Sequence, residues 1–114
     1  MNIILPVAAP TLESEVDPRF GRGAYLLLVD PDTLEWQAIP NPGLNAQGGA
    51  GIKAAEFVNT QKVEAVISGD FGPHAYQALA ASGLSMYLFG SCHTAREVIE
   101  HFKAHQLKQV NAPI

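Results

Sequence analysis

A chain of 114 residues is of single-domain size and long enough to bury a core without disulfide or metal staples. Its 47% hydrophobic and 16% charged residues describe a folded globule, and a net charge of −4 with seven scattered Lys and Arg excludes a nucleic-acid partner as first choice. No apolar run approaches the ~20 residues needed to cross a bilayer, and no polybasic or lipidation motif is present, so no membrane partner is expected.

The first segment, Asn2 to Ala8, is an apolar run rich in branched residues and reads as a buried strand. Met1 to Pro6 lacks a basic n-region, so no signal peptide is expected. The single cysteine, Cys92, has no internal partner and suits a reducing compartment, which points to the cytoplasm. Ala9 to Gly23 is a long charged connection carrying Pro10, Pro18, Gly21, Gly23, Arg19 and Arg22, and loops of this length are often functional. Ala24 to Asp30 and Leu34 to Pro40 read as an antiparallel hairpin turned by Pro31-Asp32-Thr33. A polar glycine-rich loop, Asn41 to Gly51, opens a helix to about Thr60 with Ile52, Ala55 and Val58 facing inward.

Strand and helix then alternate. Val63 to Ser68 is a strand; Pro73 starts a helix with Ala75, Ala78 and Leu79 on one face, stopped by Gly83. Ser85 to Phe89 is the last expected strand. Thr94 and Glu97 form a capping-box pair before a helix with Ala95, Val98, Ile99 and Phe102 on one stripe. Residues beyond about Lys103 read as a fraying helix end and tail. The order β-β-β-α-β-α-β-α predicts an α/β domain spanning residues 1–114, with a mixed five-stranded sheet and three helices. The sheet joins a three-strand antiparallel meander to parallel strands, and the first strand is central. The connections leaving strands one, three, four and five all emerge at one edge, where open α/β sheets bind ligands. Arg19, Gly49, His74 and Cys92 are therefore expected on one concavity.

Four segments at that edge carry chemistry. Gly48-Gly49-Ala50-Gly51 sits at a helix start, where free N–H groups and the dipole favour an anion; equally, it is a turn for close helix–sheet packing. Asp17-Pro18-Arg19-Phe20-Gly21-Arg22 places two guanidinium groups and an aromatic ring on a loop, suited to a polyanion or simply to solvent. Gly69-Asp70-Phe71-Gly72-Pro73-His74 puts His74 in a first helical turn, as a metal ligand or an exposed residue. Ser91-Cys92-His93 offers a soft sulfur donor and an imidazole, although a lone cysteine is more often inert and buried. His101 and His105, at the far end of the last helix, are expected to face solvent. There is no Cys-x-x-Cys pair for a self-sufficient iron–sulfur centre and no nucleophile elbow.

In this order and spacing, Asp17-x-Arg19-Phe20-Gly21-Arg22, the Asn41 loop into Gly48-Gly49-Ala50-Gly51, and Gly69-x-x-Gly72-Pro73-x-Ala75 resemble the dinitrogenase iron–molybdenum cofactor biosynthesis family over about residues 1–103. The resemblance implies a ribonuclease H-like three-layer fold. It also implies non-covalent carriage of an anionic metal–sulfur cluster, containing iron, molybdenum or both, exchanged with donor and acceptor proteins by a monomer or weak homo-oligomer. On that basis Arg19, Phe20, Arg22, Gly48, Gly49, Ala50, Gly51, Gly72 and His74 would contact the cargo, with Cys92, His93 and His74 as candidate metal ligands and no catalytic residue. Arg19-Phe20-Gly21 stands where nitrogenase-linked members resemble one another in His-Phe-Gly, which sets this chain among the small stand-alone members. Two rival readings remain: a regulatory module for a small anion or nucleotide, and a ribonuclease H-like metal-dependent nuclease.

Overall fold

The computed structural model describes residues 2–44 and 49–111. Its elements are β1 (Ile3–Val7), β2 (Tyr25–Val29), β3 (Trp36–Pro40), α1 (Ala50–Asn59), β4 (Ala65–Ser68), α2 (Pro73–Ala81), β5 (Ser85–Leu88), α3 (Ala95–Lys103) and β6 (Lys108–Gln109). They form one mixed open sheet in the order β3-β2-β1-β4-β5-β6. β1 is antiparallel to β2 and parallel to β4, and β4 is parallel to β5. Every residue of β1 and β4 is buried, as expected of central strands covered on both faces.

Side-chain alternation divides the core in two. Ile3, Leu5 and Val7 pack with Ala95, Val98 and Ile99 of α3 on one face. Ile4 packs on the other with Ala54, Ala55 and Val58 of α1 and Ala75 and Leu79 of α2. Three layers result.

Two expectations change. The sheet has six strands rather than five, because the tail does not fray. His105 adopts φ 58, a left-handed turn that sends the chain back antiparallel along β5. Val110 is then buried, and the Tyr76 hydroxyl donates to the Asn111 carbonyl at 2.8 Å, clamping the tail to α2. The second change is in α1, where Ile52 points outward at 36% exposure. The inward stripe is Ala50, Ala54, Ala55 and Val58, small residues that let α1 lie close to the sheet. Ala54 rather than Ile52 sets its phase.

The long connection 8–24 explains the shape of the upper edge. β1 pairs with β4 only through Ile3 and Ile4. Above that, the returning loop takes over: Val16 bridges Val7, and the Asp17 amide donates to the Pro6 carbonyl at 3.0 Å. On the β4 side, Arg19 forms a parallel bridge with Asp70. The segment 16–19 thus fills the gap between two central strands and delivers Arg19 to the sheet edge.

Candidate functional site

The turn 19–23 is packed against the start of α1 with no room between them. A Cβ on Gly21 would lie 2.6 Å from the Gly51 nitrogen. Asn41, buried at the end of β3, ties the two loops together. Its Nδ2 donates to the Phe20 carbonyl at 3.3 Å, while its Oδ1 accepts from the Gly43 amide at 2.9 Å. A Cβ on Gly43 would in turn collide with the Ala50 carbonyl oxygen. Phe20 is anchored in the core beside Phe71, ring centroids 5.8 Å apart, so its neighbours Arg19 and Arg22 are held at the surface by a fixed aromatic foot.

The result is a cleft of about 280 Å³. Its walls come from three segments: Arg19 to Arg22, Gly49 to Ile52, and Asp70 with Gly72 to Ala75. α1 and α2 meet there through their N-termini, where Gly51 lies close to Ala75. Neither helix carries a side-chain cap or an acidic residue in its first turn. Lys53 donates to the Gly49 carbonyl and Tyr76 to the Gly72 carbonyl, but the amides of Gly51, Ile52, His74 and Ala75 find no acceptor among the described residues. Such first-turn amides, with the positive ends of two helix dipoles, favour a negative ligand. α3 is the contrast: Thr94 and Glu97 close a full capping box, so its N-terminus is already satisfied.

Arg19 is mostly exposed; Asp17 accepts its backbone amide at 2.8 Å and lies 3.8 Å from its Nε, a loose surface pair. The guanidinium therefore remains available to the cleft. Among the described residues, Asp70 is the one carboxylate lining it.

Of the residues expected to meet, Arg19, Phe20, Arg22, Gly49, Ala50, Gly51, Gly72 and His74 share this cleft. Gly48 lies outside the described residues. Cys92 and His93 do not join them. They line a separate recess with Glu15, Val16 and Pro18, at the same sheet edge but on the α3 face. The reason is the path of the β5–α3 connection, which turns towards the layer that α3 occupies, while α1 and α2 cover the other face. Cys92 is buried, with its Sγ 3.2 Å from Nδ1 of His101. Burial, and secondarily the charge of Glu97, pushes the thiol above its ordinary value. His101 thus contacts the core-side sulfur instead of standing in solvent, because its position on α3 faces back towards the Cys92 loop. Among the described residues, no three of His, Cys, Asp and Glu stand together where they could hold a metal.

Sequence reasoning assigned no functional role to Asp70 or Asn41, and it read Ile52 as an inward-facing core residue. Asp70 sat within a noted glycine turn, but its approach to Arg19 depends on a bridge between distant segments. Ile52 was hidden by its apolar character, and the burial of Asn41 has no local signature.

A family model described as dinitrogenase iron-molybdenum cofactor matches residues 1–105. Among solved structures, the apo form of the orange protein from Desulfovibrio gigas superposes with a TM-score of 0.92 at 31% identity, covering 99% of this chain and 95% of that one. A putative NifB protein from Thermotoga has a TM-score of 0.84 at 26% identity, covering 99% and 96%. An uncharacterised protein of Methanocaldococcus jannaschii is 26% identical over 87 residues, 74% of each chain. Matched by that family model over nearly its whole length, the chain belongs to the dinitrogenase iron-molybdenum cofactor family.

Proposed function

We propose that this protein is a non-catalytic carrier of an anionic metal–sulfur cluster or its precursor, held in the cleft between Arg19–Arg22 and the N-termini of α1 and α2. The observation that carries the reading is the convergence of two uncapped helix N-termini and two arginines on one small cleft. Sulfide-rich clusters are negatively charged and bring most of their own ligands. They need charge, backbone donors and shape more than a set of protein ligands. Ile52 and Pro73, both exposed on the cleft wall, give soft sulfide an apolar surface beside those donors.

The family's name and the similarity to the orange protein support a cluster-related role. We further propose that the three-layer frame is of the ribonuclease H-like class, that the protein works in the cytoplasm, as its lone thiol suggests, and that it exchanges cargo with donor and acceptor proteins. His74, in the cleft, is the imidazole placed to reach an open metal position on the cargo.

The test is retention of a soluble thiometallate anion, with metal and sulfide measured after gel filtration. Wild type should retain it, Arg19→Ala with Arg22→Ala should release it, and added salt should imitate the double substitution because each exposed charge contact is worth only about 1 kcal/mol. Equal retention by wild type and double variant would remove the cleft from consideration.

A further inference from the structure

β3 forms one lateral edge of the sheet, and its Trp36 end lies away from the cleft, level with the start of β1. It pairs with β2 alone, so one side of its backbone is open at the sheet edge. The β3 residues are mostly exposed, and Trp36, the only tryptophan in the chain, is 43% exposed there. Leu34, in the adjoining turn, is 38% exposed. A large indole left half in water on an open strand is unusual for a surface with no partner.

A recess of about 300 Å³ lies beside this indole, lined by Asn2, Leu28, Asp30, Thr33, Glu35 and Gln37 together with Trp36. No cation lines it. The sequence extends the asymmetry: between Arg22 and Lys53 there is no Lys or Arg, while Asp30, Asp32 and Glu35 surround the hairpin turn. Carboxylates alone would be a solvated face. Here they flank an exposed indole and an unpaired strand, a combination that selects a basic, extended binder. Backbone pairing to β3 would give affinity, and an arginine or lysine over the Trp36 ring beside Glu35 would give specificity. Pro40, which has no N–H to offer, limits the pairing to the lower part of the strand, near Trp36.

We infer that the β3 edge around Trp36 is a docking surface for an extended, arginine- or lysine-bearing segment of a partner protein. The cleft stays open while this edge is occupied, since the Trp36 end of β3 lies away from it.

The lone tryptophan makes the surface its own reporter. Wild-type protein is titrated with a short peptide alternating arginine and valine, and with its glutamate–valine counterpart, following indole fluorescence; amide chemical shifts map the site. The basic peptide should give a saturable blue shift with perturbed β3 amides, and the acidic one no response. Asp32→Lys with Glu35→Lys should weaken the basic peptide by about tenfold, as removal and reversal of complementary charge does. Trp36→Ala, at an exposed position, should abolish the chemical-shift response without unfolding the sheet. No saturable change, equal responses to both peptides, or perturbations away from β3 would overturn the inference. So would a fluorescence change that tracks protein concentration without peptide, which would make a second copy the occupant.

Discussion

Gly21 and Gly49 are both at the cleft, yet they are required for different reasons. At Gly21 the constraint is space, since a side chain would meet the α1 backbone at Gly51. At Gly49 it is conformation: φ is 67 as the N-cap of α1, with nothing within 4 Å of a Cβ. Gly21→Ala should therefore cost about 1–3 kcal/mol in urea unfolding, as overpacking does, and should displace the start of α1. Gly49→Ala should cost about 1–2 kcal/mol, the strain of a left-handed non-glycine residue, and leave the loop contacts in place. Cys92 supplies a third test at this scale. The folded state holds the thiol proton more tightly than the unfolded chain, so stability is full below the unfolded thiol's titration and is lost as pH rises through the folded one. Urea midpoints should fall on going to alkaline pH, and fall less in Cys92→Ala. Alkylation of the native thiol near neutral pH should be much slower than in urea, read by mass spectrometry. The glycine positions were legible as turn signals, but nothing in the sequence distinguishes a crowded glycine from a left-handed one.

Among the elements, β6 shows how much a two-residue strand can hold. It covers the open side of β5, brings Val110 into the core beneath α2, and leads to the Tyr76–Asn111 hydrogen bond. Truncation after Gln106 removes a buried valine worth about 1.5–3 kcal/mol and bares a strand edge. Lower stability, increased aggregation and a loosened α2 should follow, measurable by urea unfolding and by amide exchange across residues 73–81. Lys108 and Gln109 have neither the alternation nor the β-branching that marks a strand, and only the left-handed turn at His105 brings them alongside β5. α3 was readable in full, because Thr94, Glu97 and its apolar stripe are local signals that tertiary contacts merely reinforce. The phase of α1 was not, because alanines carry little hydrophobic signal and gain their place by fitting close to the sheet.

In the whole molecule, the cleft and the Cys92 recess share an edge but are separated by the sheet, each belonging to a different half of the core. The two should behave independently. Cys92→Ser should leave thiometallate retention unchanged, and the rate of Cys92 alkylation should be the same with and without the anion; a coupled response would place the thiol in the cargo's path. The central place of β1 parallel to β4 and β5, the crossover helices and the convergence of four connections on one edge were determined by the sequence itself, β6 excepted, since hydrophobic period, proline, glycine and capping residues act over a few neighbours. Which face each connection turns towards was decided only in the tertiary structure. Ser91-Cys92-His93 and Gly72-Pro73-His74 each follow a parallel strand and look alike as sequence, but α3 packs on one side of the sheet and α2 on the other. That choice rests on the handedness of the crossovers and on which helix stripe fits which half of the core, properties of the assembled sheet rather than of any segment.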